Sequence, residues 1–184
     1  TEPEEINDIE QRVKDVEEEA LFSEADVLRK TYIKDFICVH GIIEFSNYCK
    51  NDCLYCGLLV QNQKQKRYRM SADEIVTAAV NAVKKKGYKL LVLQSGDDYF
   101  YTDEALIEII EKIKKQAKVF LFMSAGERSR DCYKKMKDAG ASGALLRFES
   151  SNPKLFKKMH PNGKSLAYRL LLLKYLQKLG YFIA

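Results

Sequence analysis

The chain has 184 residues, of which 46% are hydrophobic, 31% charged and 11% aromatic, with 9 Gly and 3 Pro; this supports one domain with a real core and excludes collagen-like, mucin-like and wholly disordered chains. The net charge of +5 is uneven: residues 1–30 hold eleven acidic and four basic side chains, a net of −7, and the other 154 hold fifteen and twenty-seven, a net of +12. Such a basic body suits an acidic protein, an anionic substrate or nucleic acid, or is a Lys-rich solvated surface; no apolar run approaches the ~20 residues that cross a bilayer, and the acidic start Thr1-Glu2-Pro3-Glu4-Glu5 reads as lacking a secretory leader.

In chain order, Ile6, Ile9, Val13 and Val16 recur at spacings of three and four with acids between them. This predicts one or two helices over residues 4–30, the second opening at Ser23 and Asp26. Residues 36–39 and Gly41-Ile42-Ile43-Glu44-Phe45 predict extended chain, and the second stretch runs through Ser46-Asn47 into three closely spaced cysteines. From residue 67 onward helices and strands alternate. Ser71-Ala72-Asp73-Glu74 starts a helix that stops at Gly87. Residues 90–93 form a short apolar run, as in a strand buried on both faces, and end in Gln94-Ser95-Gly96-Asp97. Thr102 caps a helix to about Gln116, and residues 119–123 are a strand ending in Ser124-Ala125-Gly126-Glu127. A helix from about Ser129 to Ala139 stops at Gly140, and residues 144–148 are a fourth strand ending in Glu149-Ser150-Ser151. Pro153 opens a short helical turn, residues 165–179 are a longer helix stopped by Gly180, and residues 181–184 open a fifth strand.

Strand followed by helix, four times over, predicts a parallel sheet with right-handed crossovers, either doubly wound or a (β/α) barrel. In both, ligands gather at the carboxyl ends of the strands. The polar segments Ser46-Asn47, Ser95-Gly96-Asp97, Ser124-Ala125-Gly126-Glu127 and Glu149-Ser150 all follow strands and would converge on that face. A complete barrel takes ~250 residues. The expected organisation is therefore a helical extension at 1–35 and the N-terminal half of a barrel at 36–184, with an unpaired apolar edge at its last strands.

Five cysteines, an odd count with three inside eight residues, point to a reducing, cytoplasmic compartment and a metal site rather than a disulfide framework. Cys49, Cys53 and Cys56 form C-x3-C-x2-C on one short loop. A [4Fe–4S] cluster usually takes four Cys, so three leave one iron open, and an open position is where a metal centre does chemistry. A zinc knuckle with His40 as fourth ligand, or a purely structural cluster, are the alternatives. Cys38 lies in an apolar run and reads as a small buried hydrophobe. Cys132 has no partner nearby in sequence, and His160 carries no assignment. Tyr99, Phe100 and Tyr101 either wall the site or pack.

The triad with Tyr55 just before its third Cys, placed after the first strand of a βα series, resembles the radical S-adenosylmethionine (SAM) superfamily. The strings Gly41-Ile42-Ile43-Glu44-Phe45-Ser46-Asn47-Tyr48-Cys49, Cys53-Leu54-Tyr55-Cys56-Gly57-Leu58, Lys66-Arg67-Tyr68-Arg69-Met70 and Leu93-Gln94-Ser95-Gly96 resemble its [FeFe]-hydrogenase maturases of the HydE type. Biotin synthase and methylornithine synthase share the overall plan.

The resemblance implies a TIM-type (β/α) barrel, here its N-terminal half, with a [4Fe–4S] cluster on Cys49, Cys53 and Cys56 and SAM on the open iron. It implies one-electron cleavage of SAM to a 5′-deoxyadenosyl radical, with the protein supplying orientation and exclusion of water. By position, Ser95-Gly96-Asp97 would meet the SAM amino group, with Asp where the family has the longer Glu. Glu149 would bind the ribose, where a carboxylate can take two hydroxyls. Arg169 would pair with the SAM carboxylate, Arg147 would lie beside the site, and Tyr55 would lie by the adenine through its backbone. Simpler roles stand beside these: turn caps for Asp97 and Asp98, a helix-capping acid at Glu149, a solvated position for Arg169, and an Arg147–Glu149 pair on one side of a strand. The implied partners are a small organic or iron-complex substrate, a ferredoxin- or flavodoxin-type reductant and other hydrogenase maturation proteins, with neither nucleic acid nor membrane. A radical SAM synthase of the biotin or methylornithine type is the second reading. A non-catalytic metal- or nucleic-acid-binding module is the third, without any RRM, KH, zinc-finger or OB pattern to accompany it.

Overall fold

The computed structural model describes residues 18–34 and 39–184. The chain divides into two units, Thr1–Cys38 and Val39–Ala184. In the first, the described part is helix α1 (Glu18–Ile33), with Glu18 and Glu19 in its first turn and Lys30 in its last, matched to the helix dipole. Asp26 pairs with both Arg29 and Lys30 at 2.8 Å. Ser23 and Asp26 lie inside this helix and do not open a second one, because neither Gly nor Pro interrupts residues 18–33. The predicted helical positions Ile6, Ile9, Val13 and Val16, and the extended stretch with Cys38, fall outside the described residues.

The second unit is built on five parallel strands in the order β1-β2-β3-β4-β5. They are β1 (Gly41–Ser46), β2 (Leu90–Ser95), β3 (Phe120–Ser124), β4 (Gly143–Ala144) and β5 (Phe182–Ile183). Helices α2 (Ala72–Lys86), α3 (Asp103–Gln116), α4 (Arg130–Asp138), α5 (Pro153–Met159) and α6 (Leu166–Lys178) connect them. The predicted starts and stops are capped as the sequence implies. Ser71 and Glu74 form a capping box, Gly87 ends α2 at φ 77°, and Thr102, Ser129 and Ser165 each accept a backbone N–H of the first turn.

One face of the sheet packs against the helices through Phe45, Leu91, Leu93, Leu121 and Met123, each at most 1% exposed, together with Ile75, Ile109, Ile110 and Ile113. The other face carries residues in register across the strands. Ile42, Val92, Phe122, Gly143 and Phe182 form one layer, and Glu44, Gln94 and Ser124 form the next toward the carboxyl ends. Ile42 and Phe182 are 58% and 60% exposed, so this face is apolar low down and polar where the strands end. Among the described residues no helix is long and apolar enough to cross a membrane.

The fourth strand differs from expectation. Its ladder covers Gly143–Ala144, with further bonds from Leu145 N–H to Met123 and from Leu146 N–H to the Ala184 carbonyl, and Arg147, Phe148 and Glu149 leave the sheet. Gly143 lies under the Phe122 ring, where a Cβ would meet ring carbons at 2.3 Å. Glu149 has left-handed backbone, φ 59°. Arg147 and Glu149 are both exposed, and among the described residues no ion pair joins them. The expected strand-side pair is therefore absent, because the strand that would have aligned it has already ended.

Candidate functional site

At the carboxyl end of β1 the chain turns out of the sheet, and a set of side chains fixes the path of the cysteine loop. Asn47 bonds the 66–68 segment twice, from Nδ2 to the Lys66 carbonyl at 2.8 Å and from the Tyr68 N–H to Oδ1 at 2.7 Å. Arg67 donates to four carbonyls, those of Asn47, Leu58, Leu59 and Asn62. Arg69 holds Asp98 through Nε at 2.8 Å and Nη2 at 2.9 Å, and the Ser46 hydroxyl adds 2.6 Å. Burial on its own raises the Asp98 carboxyl, but these donors outweigh it and hold it below its ordinary value. The loop is thus clamped by the segment Lys66-Arg67-Tyr68-Arg69-Met70, whose part in building the site had no local signature in the sequence.

The end of β2 approaches closely. The Asp97 N–H points to Cys49 Sγ at 3.3 Å, and the Lys50 N–H to the Asp97 carbonyl at 3.2 Å. Gly96 is required by this approach, since a Cβ there would lie 2.1 Å from the Tyr48 carbonyl oxygen and 2.7 Å from Cys49 Cβ. The Ser95 hydroxyl donates to the Gly96 carbonyl at 2.7 Å. Asp97 is 5% exposed; its Oδ2 accepts from Asn51 at 3.1 Å and faces Lys50 Nζ at 3.6 Å, while its Oδ1 is buried without a hydrogen-bond partner. A cavity of about 150 Å³ is lined by Asp97, Cys53, Glu127, His160 and Arg169.

Arg169 is 8% exposed, not solvated. Its Nε and Nη2 bind Glu127 Oε1 at 2.7 and 2.5 Å, and Nη1 donates to the Arg147 carbonyl at 2.7 Å. Three of the five guanidinium N–H donors are engaged, leaving two. Nothing local in the sequence pairs residues 42 positions apart; Glu127 was visible only as part of a polar segment after a strand. Tyr99 sits at the rim, its hydroxyl on the Glu127 carbonyl at 2.8 Å and Lys50 4.0 Å over its ring. Tyr101 is packed in the core beside Phe45, and Phe100 lies under Arg69.

Tyr55 reaches across to His160, the oxygen 2.9 Å from Nε2. Burial pushes the Cys53 thiol up, and the neighbouring Cys49 and Cys56 push it further. Three crowded soft sulfur donors fit a cationic, thiolate-loving centre. Among the described residues no three His, Cys, Asp or Glu side chains close on a single ion. His40 is exposed, so a zinc knuckle, which needs four ligands on one ion, is not assembled; a cubane spreads its thiolates over four irons. Asp97 lines the adjoining cavity, and its Oδ1 is buried beside Gly126 without a partner; such a carboxylate fits a ligand carrying a positive or N–H donor group. Cys132 lies in the core at 0% exposure, its thiol pushed up to about 12 by burial and then by Asp103.

The profile of the Radical SAM superfamily matches residues 43–183. The chain belongs to the radical SAM superfamily. Members of this superfamily use a [4Fe–4S] cluster and SAM. The chain is 46% identical over 163 residues to the [FeFe] hydrogenase maturase subunit HydE of Thermotoga maritima, covering 89% of this chain and 46% of that protein. It is 28% identical over 167 residues to the 3-methylornithine synthase of Methanosarcina acetivorans, covering 90% of this chain and 47% of that one. The crystal structure of methylornithine synthase (PylB) superposes with a TM-score of 0.86 at 25% identity, over 96% of this chain and 53% of that one. The chain spans about half the length of the curated relatives it matches.

Within this radical SAM fold, Cys49, Cys53, Cys56, Gly96 and Asp97 come together at the ends of β1 and β2. Arg169 joins them across the 150 Å³ cavity. Arg147 reaches the group only through its carbonyl, and Glu149 stands on the exposed loop beyond β4.

Proposed function

We propose that Cys49, Cys53 and Cys56 hold the [4Fe–4S] cluster and that SAM binds beside it along the polar strand ends. In this reading a helical extension at 1–35 precedes in sequence residues 36–184, which act as the N-terminal half of the barrel. The observation that carries this is the buried Asp97 carboxylate, one oxygen of which has no hydrogen-bond partner, on a residue that lines a cavity shared with Cys53 and Arg169. A buried carboxylate oxygen left bare is costly, and the ammonium of an amino acid supplies the missing donor. When bound, the cluster supplies the electron that cleaves SAM to a 5′-deoxyadenosyl radical.

The chain's own residues orient and enclose. Asp97 accepts from the amino group, and the shorter side chain suffices because Gly96 brings its backbone against the cysteine loop. The two unengaged donors of Arg169 face the carboxylate, with Glu127 fixing the fork. Ser95 and Gly96 form the wall at the end of β2. Glu149 takes the ribose hydroxyls, Arg147 lies alongside, and the backbone of Tyr55 borders the adenine.

The 46% identity to HydE supports a role in assembling the active-site cluster of [FeFe]-hydrogenase, in a reducing cytoplasm. The substrate is a small iron-containing or organic molecule, the electron donor a ferredoxin or flavodoxin, and other maturation proteins are partners. The close superposition on methylornithine synthase favours a second reading, a synthase acting on an organic substrate.

The test is anaerobic purification, iron and sulfide analysis, reduction, and assay of 5′-deoxyadenosine from SAM. Bound iron and sulfide with cleavage are expected; zinc in their place overturns the proposal. Asp97→Asn should weaken SAM binding to the reconstituted protein about 10-fold, measured by equilibrium binding, with cluster content unchanged. Loss of hydrogenase maturation on gene deletion selects the maturase reading. Normal maturation with loss of a synthase product selects the other.

A further inference from the structure

Among the described residues Glu44 is the one charged side chain carried by a strand; every other position in β1 to β5 is uncharged. It stands on the open face of the sheet, one layer above the apolar Ile42, Val92 and Phe122. Its register partner Gln94 holds it, Nε2 to Oε1 at 3.0 Å. A carboxylate only accepts, so the amide nitrogen of Gln94 faces Glu44 and the amide oxygen is left over. Among the described residues no ion pair involves Glu44. The carboxylate borders a cavity of about 220 Å³, lined further by Ser46, Gln94 and Ser95 from the strand ends and by Leu58 and Tyr68 from the segment after the cysteine loop. No lysine, arginine or histidine lines it. Its three hydroxyls have already given their hydrogens: Ser46 to Asp98 at 2.6 Å, Ser95 to the Gly96 carbonyl at 2.7 Å, and Tyr68 to the Glu44 carbonyl at 2.7 Å. What they have left to offer is lone pairs. One negative charge among surplus acceptors calls for a cation with several N–H donors, and a primary ammonium has three. At ~30 Å³ per water the cavity has room for about seven waters, enough for the amine end of a small molecule.

We infer that Glu44, held by Gln94, binds the primary ammonium group of a small-molecule substrate, in a subsite separate from Asp97. The inference rests on the reading that the cluster and SAM occupy the ends of β1 and β2. Ser95, in the wall of this cavity, precedes Gly96, which abuts Cys49, so the subsite adjoins that site. SAM carries an ammonium too, and two carboxylates divide the two ligands: Asp97 serves SAM and Glu44 serves the substrate. An alcohol of the same size leaves the Glu44 charge unanswered and a carboxylate opposes it, so the subsite selects by charge.

The probe is n-butylammonium, with n-butanol and butyrate as neutral and anionic controls of similar size. Each is titrated by ligand-observed NMR against the full chain reconstituted with cluster and SAM. n-Butylammonium should bind about 10-fold tighter than either control. Glu44→Gln, close in size and at an exposed position, should abolish that preference, and Gln94→Leu should reduce it. Both variants should keep the wild-type affinity for SAM. Equal binding of the three probes, or a preference that survives Glu44→Gln, overturns the inference and leaves Glu44 a solvated acid. A fall in SAM affinity in Glu44→Gln also overturns it, since the ammonium served is then that of SAM. Displacement of n-butylammonium by equimolar Mg²⁺ overturns it in favour of a metal site. Selection of the amine through Glu44 by a protein that takes up no iron and sulfide upholds the subsite and overturns the cluster reading. SAM cleavage without selection of the amine does the reverse.

Discussion

Arg69 grips Asp98 in a two-pronged ion pair, at 2.8 and 2.9 Å, that locks the 66–70 segment to the end of β2. Asp98 is 4% exposed while the Arg69 side chain is 33% exposed, so the carboxylate bears most of the cost if the pair is broken.

Arg69→Leu should therefore destabilise the cluster-free protein by on the order of 2 kcal/mol, less than a fully buried pair because Arg69 is partly solvated. Urea unfolding measures it. The Asp98 carboxyl titrates below 3.8 in the folded protein, so the unfolded chain takes up its proton first as the pH falls. Its stabilisation is complete above 3.8 and is lost as the pH drops toward the lower folded value. The stability gap between wild type and Asp98→Asn should narrow over that interval and stay flat between about pH 5 and 7.

Glu127→Ala leaves Arg169 buried and unpaired. The expected loss is on the order of 3 kcal/mol, or roughly 6–12 °C in Tm of the cluster-free protein. Replacing both, Glu127→Leu with Arg169→Met, should recover most of that loss, since apolar groups of similar volume leave no stranded charge. Calorimetry on wild type, the single variant and the double variant separates the two outcomes.

Gly96→Ala drives a methyl toward the Tyr48 carbonyl and Cys49. The loop must move, and retention of iron against a chelator should fall about 10-fold. Gly57→Ala is the control: its Cβ would meet nothing within 4 Å, and iron retention should match wild type.

Thiol alkylation distinguishes the cysteines by environment. In the cluster-free native protein, Cys49, Cys53 and Cys56 are all partly exposed, whereas Cys132 is buried with its thiol pushed up to about 12. Peptide mapping after iodoacetamide should find the three modified first. Cys132 should follow only at the rate of unfolding.

Local chemistry wrote most of the fold in plain view. Ser71, Thr102, Ser129 and Ser165 each cap a helix by bonding a nearby N–H, and Gly87 and Gly180 end helices in left-handed backbone; both effects act within four residues. The early end of β4 was hidden because nothing in Leu146-Arg147-Phe148 marks it; the need for glycine at 143 was hidden too, since it comes from the Phe122 ring on the neighbouring strand. The cysteine loop was legible from its spacing. Its supports were not: Arg67 binds backbone carbonyls, which leave no mark on the sequence they belong to. The Glu127–Arg169 and Tyr55–His160 contacts span 42 and 105 positions, so only the fold brings them together.

The strand order β1-β2-β3-β4-β5 makes each new strand dock beside the one synthesised just before it. No strand waits for a later one to be inserted between it and its neighbour. A ribosome-bound chain can therefore grow this sheet by accretion at one edge, and the cysteine loop acquires its backing from β2 as soon as the second strand emerges.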